Sequence, residues 1–284
     1  MGLRIQNNVE AFNAHRQLTG TAARAAKAME KLSSGYRVNR AADDAAGLAI
    51  SEKMRAQIGG LAQAQRNAQD AVSLVQTGEG ALNEVHSMLQ RVRDLKIQYE
   101  GGTLSDEDKQ AIVAEVQQLG KEISDITSKT EFNGLKLLDG STFTFTVGAA
   151  SSDTIELTTN AMSGVIGTDG TGGLKEFIDI GSAAASTASG AFQDLDVNEI
   201  DDAIKNVSSA RSTFGAIQNR LEHRLANLAT YQENLVASES RIRDVDMASE
   251  MVNFTKLQIL QQAGTSMLAQ ANQAPQNVLS LLRG

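Results

Sequence analysis

The chain contains no cysteine, no tryptophan and a single proline, Pro275, among its 284 residues. The first absence removes disulfides, thiolate nucleophiles and cysteine metal sites together. The scarcity of proline leaves few slow cis/trans steps and few broken helices. Aromatic residues make up only 4% of the chain. Aromatics carry much of the buried area in ordinary cores, so a slimmer core of Ala, Leu, Ile and Val is expected. No stretch approaches the roughly 18 apolar residues of a membrane-spanning helix. The net charge of −8 argues against broad nucleic-acid binding, which needs a basic surface. The opening residues, Met1 to Asn8, lack the apolar run of a secretory signal peptide.

What the chain does have is helical periodicity. Ala11, His15, Leu18, Ala22, Ala25, Met29 and Leu32 recur at four-three spacing, which places them on one side of a helix. That helix is expected to stop at Ser33-Ser34-Gly35, where glycine allows the chain to reverse. Asp43 or Asp44 reads as the N-cap of a second helix over about residues 44–99, striped by Leu61, Ala68, Val72, Val75, Leu82, Val85, Leu89, Val92 and Tyr99. At 1.5 Å per residue it is roughly 84 Å long. A compact chain of this length has a radius of gyration of about 19 Å, so the spacing predicts a rod.

Ser105 to Asp108 resembles a capping box with acids at the positive end of the helix dipole. The seam Ile112, Val116, Leu119, Ile123, Ile126 continues the third helix, and Gly101-Gly102 folds it back beside its predecessor. Phe132-Asn133-Gly134-Leu135 predicts a turn. Thr142 to Val147 alternates in strand fashion, with Ile155 to Leu157 as its partner. Residues 160–192 are rich in Gly, Ser, Thr and Ala and predict surface loop.

Asp196 and Glu199 open a further helix. Its four-three seam is Ile200, Ile204, Val207, Arg211, Phe214, Gln218, Leu221, Leu225, Leu228, Gln232, Leu235, Glu239 and Ile242, a bundle or coiled-coil pattern. The last helix, over about residues 247–282, repeats it with Leu257, Leu260, Gly264, Met267, Ala271, Ala274, Val278 and Leu281. The fold class read from these patterns is mainly α: a long-helix rod or coiled coil with a small β-hairpin region.

Catalytic signals are poor. His15, His86 and His223 sit on three different helices with no ligand spacing. The Gly170 to Lys175 stretch lacks the length and the Ser/Thr of a phosphate loop. Asp43 and Asp44 are adjacent, and neighbours on a helix do not share a face. Neither a cofactor nor a metal is expected, and the chain does not read as an enzyme. The terminal helices pose a different question. Their apolar stripes are narrow and small, marginal for isolated helices, so they need each other or a neighbour.

Leu32-Ser-Ser-Gly-Tyr-Arg-Val-Asn39 followed by Asp43-Asp-Ala-Ala-Gly-Leu-Ala-Ile-Ser51 resembles the N-terminal signature of bacterial flagellins. Ser240-Arg-Ile-Arg-Asp-Val-Asp246, the stretch Ile259 to Gln273 and the ending Pro275 to Leu282 resemble the C-terminal signature. The resemblance covers about residues 1–140 and 195–284, and the short middle suggests a minimal member without large outer domains.

The resemblance implies terminal helices 1–43 and 244–284 forming an inner coiled-coil domain with a spoke. It also implies an outer helical rod domain over 44–243, with a β-hairpin and variable region at about 132–195. It implies a structural protein that self-assembles into the flagellar filament for motility, secreted through the flagellar type III apparatus without a cleaved signal. A hook–filament junction protein is the alternative. A flagellin with a metalloprotease insert would need a His-Glu-x-x-His segment within 140–195, a window without histidine.

The implied partners are further copies of the chain, an export chaperone at the C-terminal helix, and hook-junction and cap proteins, with neither nucleic acid nor membrane. Gln90 to Leu95 and Ala114 to Val116 match the surface that Toll-like receptor 5 reads in similar flagellins. The match carries Arg91, Leu95 and Glu115 over as receptor contacts, with Asp94 where a Glu is common. The expected assembly seam is Leu18, Ala22, Ala25 and Met29 on the first helix and Leu257, Leu260, Met267, Ala271, Val278 and Leu281 on the last.

Overall fold

A computed structural model describes residues 8–150, 152–158 and 192–283, with side chains up to residue 273. The predicted loop over 160–192 lies almost wholly outside the described residues, as do the side chains of Val278 and Leu281. Among the described residues the long elements are α1 (Val9–Ser34), α2 (Ala45–Glu100), α3 (Asp106–Lys129), α4 (Val197–Arg243) and α5 (Met247–Arg283). Two short antiparallel strand pairs lie between α3 and α4: β1 (Glu131–Phe132) with β2 (Leu135–Lys136), and β3 (Thr142–Thr146) with β4 (Thr154–Thr158). The mainly helical class with a small hairpin is what the sequence patterns predict. No helix among the described residues is long and apolar enough to cross a membrane.

The helix ends follow local chemistry. Asn8 caps α1 by accepting a bond from the Ala11 amide at 3.0 Å. Gly35 ends it at φ 75°, its amide bonded to the Lys31 carbonyl at 2.9 Å. Of the two candidate caps for α2, Asp44 takes the role, accepting from the Gly47 amide at 2.8 Å. Asp43 instead closes the preceding turn by accepting from the Asn39 and Arg40 amides. Ser105 and Asp108 form a reciprocal capping box at the start of α3. Asn133 (φ 50°) and Gly134 (φ 77°) supply the positive φ pair that a two-residue hairpin turn requires between β1 and β2.

The chain divides into two compact units, residues 58–232 and residues 1–57 with 233–284. The middle unit holds the main core, built from α2, α3, α4 and the hairpins. Leu82, Leu89, Val92, Ile123, Leu138, Leu157, Phe214 and Leu221 are among its fully buried members. Within it α2 and α4 run antiparallel: Gly78 lies against Phe214, and Arg93 pairs with Asp201 at 2.6 Å. β3 and β4 pair in register from Thr142 opposite Thr158 to Thr146 opposite Thr154. Ile155 and Leu157 point to the core and the residues between them point out.

In the terminal unit α1 and α5 pair antiparallel. Asn8 donates to the Ala271 carbonyl at 2.7 Å, and Leu18 lies over Gly264. Their shared core is small: Ala25, Ala28 and Leu257, with Phe254 packed at its edge.

The expected seams need a correction. Along α4 the buried residues are Ile200, Ala203, Val207, Ala210, Phe214, Ile217, Leu221 and Leu228. Ala203, Ala210 and Ile217 are therefore buried more deeply than Ile204, Arg211 and Gln218, of which Ile204 still packs against the core. Along α1 the inward face carries Thr21, Ala25 and Ala28, while His15 and Met29 face out. Arg211 and Gln218 stay half-buried, with Arg211 Nε enclosed and unpaired among the described residues, and full burial of either would leave further polar groups unpaired at a cost of about 1–3 kcal/mol each. The residue just before each is small or apolar, and the helix turns that one inward.

Candidate assembly and recognition surfaces

The terminal unit buries little apolar surface and exposes much. Of the expected seam, Ala25 and Leu257 are buried, and Leu18, Ala22 and Ala271 are half-buried along the line between α1 and α5. Met29, Leu260 and Met267 do not join them, being 53%, 45% and 65% exposed. Phe12, Met251, Val252 and Ile259 are exposed alongside. With Val9 and Met247, nine large apolar side chains are exposed on these two paired helices, which exceeds the scattered single exposures of a monomer surface and marks an interaction face. Gly264 permits the close helix approach: a Cβ there would stand 3.2 Å from Leu18 Cδ1.

The two signature motifs meet at the connector that follows α1. Tyr36 and Asp244 form an isolated antiparallel bridge. The Arg37 amide donates to the Arg243 carbonyl at 2.6 Å, and the Val245 amide donates to the Gly35 carbonyl at 3.0 Å. The Arg243 guanidinium lies 4.6 Å from the centre of the Tyr36 ring and pairs with Glu52 at 2.8 Å. One side chain thus ties the connector, the end of α4 and the start of α2 together. A motif scan sees this stretch only as a string of letters; the pairing across some 200 positions carries no local periodicity.

On the other side of the connector, Lys27 pairs with Asp43 at 2.6 Å. The Lys27 ammonium, followed by the Arg40 and Asn39 amides, holds the Asp43 carboxyl down at about 2. Glu30 is likewise lowered, first by the Asn39 side-chain amide and then by Arg40.

The expected receptor patch resolves into two surface residues and one core residue. Arg91 on α2 and Glu115 on α3 form an ion pair, with guanidinium Nε and Nη2 both 2.8 Å from Oε1. Both side chains are about half exposed. Leu95 is only 2% exposed and belongs to the main core. It lies one helical turn beyond Arg91 on α2, within the core.

Lys96 escaped sequence reasoning altogether. Its side chain is 2% exposed, yet its ammonium donates to the Phe192 and Gln193 carbonyls at 3.0 and 3.2 Å and pairs with Glu100 at 3.2 Å. The Phe192 ring lies 5.3 Å away. A buried charge persists only when its donors are satisfied, and here two carbonyls satisfy it, so Lys96 pins the start of the 192–195 segment to α2. The three histidines stay apart. His15 and His223 are exposed, and among the described residues His86 hydrogen-bonds to Gln90 on its own helix at 3.0 Å.

Comparison with known proteins supplies the context for these surfaces. The family model for the bacterial flagellin N-terminal helical region matches residues 5–142, and that for the C-terminal helical region matches residues 197–282. A flagellin of Halalkalibacterium halodurans is 51% identical, the match covering 98% of this chain and 99% of the relative. A flagellin of Bacillus subtilis is 48% identical over 99% of this chain and all of the relative. A flagellar filament 33 kDa core protein of Treponema phagedenis is 44% identical over 98% and 99%. These full-length matches are to flagellins and a filament core protein, and they do not favour the hook–filament junction alternative.

Proposed function

The chain belongs to the bacterial flagellins, structural proteins of the flagellar filament, and from that premise we propose that its copies polymerise through the outward faces of α1 and α5. The observation that carries the proposal is the contrast between the two units. The middle unit encloses a continuous core, whereas the terminal pair buries three apolar residues and leaves Phe12, Val252, Ile259 and Met267 open to solvent. Burial of apolar surface is worth about 25 cal/mol per Å², and ordering a backbone costs about 1–2 kcal/mol per residue. Helices that bury so little within one copy order fully only when neighbouring copies cover them, which makes growth cooperative. Residues 1–43 and 244–284 then form the inner coiled coil with its spoke, and residues 44–243 the outer domain.

The role is mechanical and not catalytic. Export proceeds unfolded through the flagellar type III apparatus, with a chaperone shielding α5 until assembly, and hook-junction and cap proteins meet the polymer at its ends. Arg91 and Glu115 present the surface read by Toll-like receptor 5 on monomers, while Leu95 is held in the core. Removing residues 251–284 tests the main reading. The truncated chain keeps the middle unit folded by circular dichroism and forms no filaments by electron microscopy. Filaments formed by the truncation would overturn it.

A further inference from the structure

With no cysteine in the chain, its sulfur chemistry rests entirely on eight methionines. Six of them lie among the described residues. Met88 packs against the main core of the middle unit, and Met54 near the start of α2 is half-buried. Met29 on α1 and Met247, Met251 and Met267 on α5 are exposed. Every exposed methionine among the described residues therefore stands on the two helices that carry the interaction face. Met247 and Met251 are one helical turn apart. Lys31 and Asn253 line one cavity between α1 and α5; each lies two residues from Met29 and Met251 respectively, which sets those two methionines at one level of the pair. Met267 follows Gly264, the residue that Leu18 covers, by three positions.

A thioether is a flexible, polarisable apolar group that fills irregular contacts. Oxidation converts it into a sulfoxide, which is polar and chiral and disrupts methionine-rich interfaces, and sulfoxide reductases reverse the change. The step balances with a peroxide as the oxidant. A sulfur lone pair attacks one peroxide oxygen, and the O–O bond breaks as the S–O bond forms. The departing hydroxide takes the proton of the transferred oxygen and leaves as water, so sulfur loses the two electrons that peroxide gains. Solvent access decides which sulfurs react, and it places the exposed four ahead of Met54 and Met88. The other side chains of the exposed face, Phe12, Val252, Ile259 and Leu260, carry no hydrogen-bond donor that could satisfy a sulfoxide oxygen.

We propose that Met29, Met247, Met251 and Met267 form a reversible oxidation site that switches off assembly, their sulfoxides blocking the burial that polymer growth requires. This rests on the filament reading above and adds a chemical control to the same face. Neighbouring copies cover these side chains in the polymer, so peroxide acts on the free monomer and spares the built filament.

The test treats full-length monomer with hydrogen peroxide, removes the excess with catalase and reads the concentration left soluble after seeded polymerisation. Peptide mass spectrometry locates each added oxygen, which is expected at positions 29, 247, 251 and 267 before 54 and 88. The soluble concentration is expected to rise at least about tenfold, because one unpaired buried polar group already weakens a contact by about that factor. Treatment with both methionine sulfoxide reductases is expected to bring it back to within about threefold of the untreated protein, a margin of less than about 1 kcal/mol. The variant with Met29→Leu, Met247→Leu, Met251→Leu and Met267→Leu is expected to assemble with or without peroxide. In preformed filaments the four sulfurs are expected to oxidise at least about tenfold more slowly than in the monomer, as buried sulfurs do. A circular-dichroism melt of the oxidised monomer controls for folding of the middle unit.

The proposal fails if monomer oxidised at the four positions assembles at the untreated concentration, or if the reductases remove the oxygens without restoring assembly. It fails equally if the four-leucine variant stays as sensitive to peroxide as the parent, which would place the damage elsewhere. Should that variant not assemble untreated, the reductase rescue of the parent decides. Failure of the untreated parent to polymerise would instead refute the filament reading itself.

Discussion

Three glycines in the middle unit make the packing argument quantitative. Gly78 and Gly80 lie two residues apart in α2, and Gly215 lies in α4. A Cβ added at Gly78 would stand 2.5 Å from Cε1 of Phe214, a ring only 2% exposed and held in the main core. A Cβ added at Gly80 or Gly215 meets nothing within 4 Å. Replacing glycine by alanine inside a helix is worth about 1 kcal/mol in propensity, and that gain is common to all three sites. Forcing an extra methyl group into a packed core costs about 1–3 kcal/mol, and only Gly78→Ala incurs it.

The expected result is that Gly80→Ala and Gly215→Ala each stabilise by up to about 1 kcal/mol. Gly78→Ala should fall about 1–3 kcal/mol below Gly80→Ala. For a domain of this size each kcal/mol shifts Tm by about 2–4 °C, so thermal melts followed by circular dichroism resolve the difference. Equal shifts at positions 78 and 80 would refute the claim that Phe214 seats directly on the α2 backbone.

Three further outcomes follow from Asp43, Arg91 and Leu95. Asp43 has a folded-state pKa of about 2 against an ordinary 3.8, so its contribution is complete above about pH 4 and is lost as the pH falls toward 2. Carboxyl carbon shifts should titrate with a midpoint near 2, and Lys27→Met should move that midpoint up; a midpoint at 3.8 in the unaltered chain would contradict the assignment. Removing Arg91 should cost less than about 1 kcal/mol, as expected for a half-exposed pair, while a receptor reporter response falls. Leu95→Ala should cost about 2–5 kcal/mol, so urea unfolding separates a lost contact at Arg91 from a loosened core at Leu95.

Particular residues show how far sequence reading reaches. Caps and turns are written locally: Ser105 with Asp108, Gly35 and Asn133-Gly134 each do what their chemistry dictates. Existence and length of the helices were legible for the same reason. The inward face was not, because a four-three seam and a three-four seam share every second residue. On α4, Ile200, Val207, Phe214 and Leu221 belong to both readings, and only tertiary packing selects Ala203, Ala210 and Ile217 over Ile204, Arg211 and Gln218. On α1 the same choice turns Ala28 inward and leaves Met29 outside. Lys96 and Arg243 were illegible because their partners lie about 100 and 200 positions away, Phe192 for one and Ser51 and Glu52 for the other. The family motifs did mark the connector, and the Tyr36–Asp244 bridge supplies the physical reason those two stretches belong together.

Amide hydrogen exchange on the full chain, as monomer and as assembled polymer, tests most directly the claim that neighbouring copies complete the order of the terminal helices. The account predicts fast exchange over residues 8–40 and 245–283 in the monomer, strong slowing of the same residues in the polymer, and little change across the main core. Equal protection of α1 and α5 in both states would contradict it, because the pair would then be stable within one copy and growth would need another driving contact.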